Sequence, residues 1–346
     1  MNTAVFPRRE WISAQASYAT QADELIAMVD RLDDQFRQAG LEKPSRVTVV
    51  GIGASHAAAA TPVYEMRRHG LDAHRFLPSE LPAGLSGHHG LTVLISQSGR
   101  SAEVVDLVRH GTSADQVAIT NYSPSPLGTL CGREINLGNL SDSSVSFVSF
   151  TGTMLALAML LDQWTDRNRT EHWKQQIALA AETADRLDAE IRSMSEMLLY
   201  SAIIDIVAPA PLMSVAEEGV LMLREGPRLF ATAMETRQYL HGPMDAAGPG
   251  AHLLFGANRE AQLISQLSER TQRLAFVTGK DTADCTGCSH RLVLPFEPAE
   301  AIPFAIASTF IAQKLTLHAA DIRGFDINEA AFQRIDTKTD HLTNTL

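Results

Sequence analysis

Short apolar runs alternate with helical patterns along this chain, and this alternation limits the possible folds more than any other feature. The runs "RVTVVGIG" (46–53) and "LTVLISQS" (91–98) are rich in β-branched residues, and an amphipathic helical pattern follows each of them. Strands that are apolar on both faces are typical of a parallel sheet covered by helices on both sides. The sequence therefore predicts an α/β protein.

The alternation occurs twice, in the same order. Further strands are predicted at 116–121 and 133–138, and then at 202–209, 251–257, 273–279 and 290–296. Helices are predicted at 9–40, 55–70, 101–111, 151–166, 168–198, 215–225, 259–272 and 301–321. Similar order and size in the two halves predict two copies of one α/β unit.

These patterns divide the chain into four segments. We expect an N-terminal helical segment at 1–40, a first α/β unit at 41–167, a connecting helix at 168–198, and a second unit with its C-terminal tail at 199–346.

Composition excludes several classes of protein. The net charge of -11 over 346 residues argues against binding a nucleic acid, which favours a basic surface. No apolar run approaches the roughly 20 residues that cross a bilayer, and the first residues lack the apolar core of a signal peptide. With three cysteines, too few for a disulfide framework, the simplest location is the cytoplasm.

Polar side chains gather where the strand at 91–98 ends. They are Ser96, Gln97, Ser98 and Ser101, and a helical pattern begins immediately after them. In a parallel sheet, ligands bind beyond the carboxyl ends of the strands, where hydroxyls and a helix N-terminus suit a phosphate. One serine would be an ordinary helix cap, but three hydroxyls and an amide exceed what a cap requires. We expect this loop to bind phosphate.

The stretch "GIGASH" (51–56) places Gly53 and Ser55 at the end of the preceding strand. A dinucleotide fingerprint would need a third glycine where the chain has His56, and no Gly-Lys-Ser/Thr of a P-loop follows. The stretch is better interpreted as a second wall of the same anion site.

"GIGASH" and "ISQSGRSAE" together resemble the sugar isomerase (SIS) domain, whose pattern is Gly-x-Gly-x-Ser and Ser-x-Ser-Gly-x-Thr/Ser. The segment 216–244, which ends in His-Gly-Pro, is similar to the isomerase half of glucosamine-6-phosphate synthase. The resemblance covers about 10–340. It implies two SIS domains, each with a flavodoxin-like parallel sheet, and action on a phosphorylated sugar in a homodimer.

Glu225 is the candidate base. It ends a helix, because Gly226 and Pro227 cannot continue one, and the negative end of the helix dipole makes a carboxylate a stronger base. The resemblance implies that Glu225 moves a proton between C1 and C2 of the sugar. Glu218, two turns earlier, would contact a substrate hydroxyl or support the base.

The resemblance also implies that His241 opens the sugar ring and reaches the site of a neighbouring subunit. Two lysines of the family pattern are replaced, by Met222 in the helix and by Arg334 near the C-terminus, with Lys338 also close. A third is missing from 142–152. Arg334 can hold an anion but cannot exchange a proton, so the exact reaction is open.

The predicted activity is isomerisation or deamination of a 6-phosphorylated amino sugar through an enediol or enolamine, without a cofactor. No glutaminase segment with an N-terminal cysteine precedes the SIS pattern, which disfavours amide-transfer synthesis. Alternatives are a deglycase for sugar–amino-acid adducts and a regulatory protein that binds a sugar phosphate without catalysis. The pair "CTGC" (285–288) lacks the further ligands of a zinc site, so no metal is expected.

Overall fold

The computed structural model describes residues 6, 10–82, 85, 89–110 and 115–339, whose strands form two five-stranded parallel sheets. The first contains β1 (Arg46–Val50), β2 (Asp72–Phe76), β3 (Leu91–Ile95), β4 (Gln116–Thr120) and β5 (Glu134–Asn136). The second contains β6 (Ile204–Ala208), β7 (Ala231–Glu235), β8 (Ala251–Gly256), β9 (Leu274–Gly279) and β10 (His290–Leu294). Their orders are β2-β1-β3-β4-β5 and β7-β6-β8-β9-β10, so each is flavodoxin-like. The predicted fold class is confirmed.

Helices connect and cover the strands. In the first half they are α1 (Ala14–Ala39), α2 (Ala54–Ala58), α3 (Ala60–Arg68), α4 (Ala102–His110), α5 (Pro126–Cys131) and α6 (Val148–Trp164). In the second they are α7 (Thr170–Arg186), α8 (Asp188–Leu199), α9 (Met213–Glu225), α10 (Thr236–Leu240), α11 (Asn258–Leu267) and α12 (Ala301–Arg323). Within the described ranges, no helix has the length and apolar character needed to span a membrane.

The two sheets share one continuous apolar core. Every residue of α6 except Gln163 is buried, as expected for a helix that is apolar all round. The second long buried helix, α12, packs against α6 and α3 of the first half and against α7, α8 and α9 of the second. A buried hydrogen bond between Gln21 and Gln313 (2.6 Å) joins α1 to α12. The halves are therefore packed together rather than linked loosely.

The sequence patterns missed the second strand of each half. Both β2 and β7 are edge strands, each paired with one neighbouring strand only, and most of their side chains are partly exposed. Asp72, for example, pairs with Arg46 in solvent (2.6 Å). Edge strands need no apolar run, which explains the omission. The helix predicted at 168–198 is interrupted at Leu187, and the one at 55–70 is interrupted at Ala59.

An ion pair joins the halves close to the switch point of the first sheet. Arg75 of β2 donates two hydrogen bonds to the carboxylate of Glu217 on α9 (2.6 and 2.5 Å) and one to the carbonyl of His56 on α2 (3.0 Å). Both charged side chains are largely buried. This bidentate contact fixes α9 against the first half, because its geometry allows little sliding.

We expect Glu217→Gln to lower the free energy of unfolding by about 1–2 kcal/mol, because it leaves the largely buried Arg75 without its counter-ion. Thermal unfolding measures the change. The matched control is Asp34→Asn, which removes an exposed partner of Arg37 (3.6 Å) and should shift the midpoint far less. Equal shifts in the two variants would contradict a clamping role for Glu217.

Candidate functional site

The loop 96–101, here called the serine loop, lies where the strand order reverses between β1 and β3. This is the position at which flavodoxin-like sheets bind ligands. The hydroxyls of Ser96 and Ser101 are buried and hydrogen-bond each other (3.0 Å), and Ser96 Oγ accepts from the Ser101 N–H (3.3 Å). Gly99 has φ +61°, and a Cβ there would lie 2.2 Å from Ser125 Oγ. The hydrogen bonds of Ser96 and Ser101 thus stabilise a loop conformation that requires glycine at position 99.

Gln97 and Ser98 are the partly exposed members of the serine loop. The segment that follows α12, residues 325–339, runs beside them and is here called the tail. Lys338 Nζ donates to Ser98 Oγ (3.3 Å). The protein around the Lys338 ammonium desolvates it and lowers its pKa, and the charge of Arg334 lowers that pKa further. Lys338 thus places an amino group that can carry a positive charge beside the serine loop.

Backbone hydrogen bonds also hold the tail against the loop. The Ala102 N–H donates to the carbonyl of Thr337 (3.2 Å), and the Thr339 N–H donates to that of Arg100 (2.9 Å). These are the contacts of a short antiparallel bridge between Ser101 and Lys338.

Asp142 connects the serine loop to the interior. Gln97 Nε2 donates to Asp142 Oδ2 (3.0 Å), and Ser17 Oγ of α1 donates to Oδ1 (3.0 Å). Further donors are the N–H groups of Ser143, Phe147 and Ser149 and the hydroxyl of Ser149. Burial raises the pKa of Asp142, and these hydrogen bonds oppose that rise. The sequence analysis missed Asp142, although an acid in the otherwise uncharged stretch 142–152 was a visible signal.

Glu225 is the last residue of α9, as predicted, and the tail reaches it as well. Arg334 Nη2 donates to Glu225 Oε1 (2.5 Å). The tail is anchored just before this contact, where buried Ile327 packs against the helix end at Gly226. Met222, at a position where the family pattern has a lysine, is fully buried in the same apolar cluster. One segment of chain therefore contacts both the candidate base and the serine loop.

Glu218 lies on the same helix, almost completely buried, and its Oε2 has no hydrogen-bond partner within the described part of the chain. Burial raises the pKa of Glu218 well above its usual range, and the carboxylates of Glu225 and Asp142 raise it further. Glu218 is therefore harder to ionise than an ordinary glutamate, and the charges of the candidate base and of Asp142 both act on it.

The remaining predicted residues lie on other elements. Gly53 has φ +58° and precedes α2 after β1, the strand paired with β3, and Ser55 is partly buried in that helix; within the described residues, neither forms a hydrogen bond with the serine loop. His241 ends α10, is exposed, and is not among the residues that line the cavity beside Glu225. A role for His241 at Glu225 of the same chain has no support from this geometry.

Comparisons with known proteins agree with this architecture. The chain is 24% identical over 334 residues to glutamine–fructose-6-phosphate aminotransferase (isomerizing) of Francisella tularensis, covering 90% of this chain and 54% of that protein. The chain spans about half the length of the curated relatives it matches. The solved C-terminal domain of the Francisella protein superposes with a TM-score of 0.80 at 20% identity, covering 92% of this chain and 98% of that domain. The resemblance to the double-SIS family is thereby confirmed.

The solved structure of glucosamine-6-phosphate deaminase from Thermotoga maritima superposes with a TM-score of 0.69 at 18% identity, covering 92% of this chain and 99% of that one. No protein-family model matches the chain.

The second sheet has an equivalent switch point, between β6 and β8, and a carboxylate of the chain itself fills it. Glu260 is buried and accepts from the Ala257 N–H (2.9 Å) and from the hydroxyl of Thr236 (2.7 Å). A Cβ at Gly256 would lie 2.3 Å from Glu260 Oε2. The two switch points therefore differ in the side chains that occupy them.

Among the described residues, no group of three or more His, Cys, Asp or Glu side chains is placed to hold a metal ion. Cys285 and Cys288 are both partly buried, and burial raises the pKa of the Cys288 thiol to about 12. Without a metal, Cys288 is thus a thiol near neutral pH.

The raised pKa of Glu218 makes stability depend on pH. The unfolded chain releases this proton near pH 4.5 and the folded chain retains it to higher pH, so its ionisation lowers the free energy of unfolding as pH rises between the two values. Glu218→Gln removes this loss. We expect its melting temperature, relative to wild type, to rise between about pH 5 and about pH 8.

Differential scanning calorimetry at both pH values measures this change. Glu182→Gln, which alters an exposed glutamate of α7, is the control and should show no such trend. A Glu218→Gln difference that is the same at both pH values would contradict a shifted Glu218.

Proposed function

We propose that the protein converts a 6-phosphorylated amino sugar by isomerisation or deamination at C1 and C2. The observation that carries this proposal is the tail, which contacts Ser98 through Lys338 and Glu225 through Arg334. One segment of chain thus contacts both the proposed phosphate-binding loop and the proposed base. The named activities of two similar proteins, glutamine–fructose-6-phosphate aminotransferase and glucosamine-6-phosphate deaminase, support a hexose or hexosamine 6-phosphate as the class of substrate.

Each residue has a distinct proposed role. Gln97, Ser98 and Lys338 bind the phosphate in the loop that Ser96 and Ser101 brace. Charge-assisted hydrogen bonds from an ammonium and a helix N-terminus suit a phosphate dianion. Gly53 and Ser55, at the end of the neighbouring strand, remain a proposed second wall of that site.

Glu225 takes the proton from C2 and returns it to C1, which passes the sugar through an enediol or enolamine. Arg334 holds one oxygen of Glu225 and so orients the carboxylate. Glu218, whose raised pKa favours its protonated form, would then be a hydrogen-bond donor on the same helix as Glu225. In deamination, the resulting ketimine adds one water at C2, and the C–N bond breaks with its electron pair on nitrogen. Ammonia and a ketose 6-phosphate leave, and no oxidant is consumed.

We expect Glu225→Gln to lower turnover of glucosamine 6-phosphate at least about 100-fold while substrate binding is retained, because the amide cannot accept the proton. A coupled assay follows ammonia and fructose 6-phosphate, and calorimetry follows binding. Glu182→Gln serves as control. Release of ammonia by wild type and its loss in Glu225→Gln would support the proposal. Binding by wild type without turnover would favour an adduct substrate or a regulatory protein, and the proposed reaction would be wrong.

His241 tests the proposed homodimer. It is exposed and lies away from the Glu225 cavity, so we propose that it opens the sugar ring in the site of a second copy. Co-expressed Glu225→Gln and His241→Gln chains should then regain about a quarter of wild-type activity. About half of the dimers are mixed, and one of the two sites in each mixed dimer is intact. The separate variants are the controls. Mixed chains that stay as inactive as the separate variants would contradict a site shared between subunits.

A further inference from the structure

Two of the three cysteines lie in one short loop of the second half, and the fold brings their thiols together. Cys285 and Cys288 belong to the loop 280–289 between β9 and β10, and their side chains are within hydrogen-bond reach of each other. The chain bends between them at Gly287, which has φ +77°, and a Cβ there would lie 2.2 Å from Ser268 Cβ. This bend requires glycine, so the approach of the two sulfurs is set by the path of the chain.

Hydrogen bonds hold this loop on both sides of the first cysteine. The Ala283 N–H donates to Asn258 Oδ1 of α11 (2.8 Å), and the Ala283 carbonyl accepts from Arg291 Nη2 of β10 (3.4 Å). The Thr286 N–H donates to Ser265 Oγ of α11 (3.3 Å). The loop is therefore ordered before any reaction, and a bond formed inside it is a unimolecular step between groups already in place.

Cys288 lies beside the starts of two strands. Its Sγ is 3.0 Å from the carbonyl oxygen of His290 and 3.6 Å from that of Leu274. The Leu274 carbonyl also accepts from the Ser289 N–H (2.9 Å), so it keeps a donor if the Cys288 thiol forms a new bond. Both cysteine side chains of the loop pack against an apolar cluster of the second half, which keeps them in place.

The two thiols of the loop differ from the third cysteine in their access to solvent. Cys285 and Cys288 are both partly exposed, whereas Cys131 is buried in α5 of the first half. Burial, with a smaller contribution from Cys285, raises the pKa of Cys288 to about 12, against the lowering effect of the Arg291 charge. Because the thiolate is the nucleophile, Cys288 is slow to react first, and Cys285 is the thiol that attacks an oxidant.

We propose that Cys285 and Cys288 form a redox site, which a low-molecular-weight disulfide converts into an intrachain disulfide. Exposed disulfides are the ones that free thiols reduce readily, so the modification is reversible. The site shares no residue with the serine loop, the tail or α9. It therefore goes beyond the proposed sugar reaction and does not depend on it.

The reaction proceeds by two exchanges. The Cys285 thiolate attacks one sulfur of the small disulfide, whose S–S bond breaks with its electron pair on the departing sulfur. Cys288 then loses its proton and attacks the Cys285 sulfur, and the second small thiol leaves. The two protons of the cysteine thiols end on the two small thiols. Two electrons pass from the protein to the oxidant, which is the small disulfide itself.

The test treats the folded full chain with 2-hydroxyethyl disulfide and measures the 2-mercaptoethanol released by chromatography. This oxidant is uncharged, so the net charge of -11 does not repel it. We expect wild type to release two small thiols per chain, Cys288→Ser one and Cys285→Ser none, because only the complete pair closes a disulfide. Cys131→Ser, which removes the buried cysteine of α5, is the control and should release two.

Peptide mapping by mass spectrometry should locate the new bond between Cys285 and Cys288, and an excess of reductant should restore the three free thiols. Wild type that releases no small thiol would overturn the redox site, and so would a mixed disulfide that never resolves. A bond to Cys131 or between two chains would overturn it as well. The wild-type measurement alone distinguishes these results, so the test holds even where a serine variant does not fold.

Discussion

The carboxylate of Asp142 lies completely out of contact with water, and six donors from α1, the serine loop and the segment 143–149 converge on it. An isolated buried charge is expensive, so these elements are held at the spacing that keeps every donor in place. Gln97 is the donor that belongs to the loop. The position of the candidate phosphate site is therefore set by a side chain in the interior.

Two halves of the chain contribute to the candidate site, and their relative position is fixed by contacts of different kinds. The bidentate pair of Arg75 and Glu217 holds α9 to the first half, and a continuous apolar core fills the space between the sheets. The tail adds a third connection, because it leaves α12 of the second half, passes Glu225 and ends beside the serine loop. The candidate base at the end of α9 and the serine loop of the other sheet are thereby held in a fixed relative position.

The sequence predicted those parts of the fold and site that depend on local pattern. Central strands such as β3 are apolar throughout, and Gly226 with Pro227 marks the end of α9, so both were foreseen. Edge strands β2 and β7 lack such a pattern. The contacts of Asp142, and those of Arg75 with Glu217, join residues far apart in the chain, and a single sequence carries no signal for that pairing. Arg334 was placed by family resemblance alone, and its contact with Glu225 became visible only in three dimensions.

The two sheets have the same strand order, yet Glu260 occupies the second switch point as a built-in ligand, held by Ala257 and Thr236. A covalently attached carboxylate pays almost no entropy to stay there, and its charge repels any free anion that approaches. The same strand order therefore does not give the two halves equivalent switch points, and asymmetry between the halves is part of how the molecule is built.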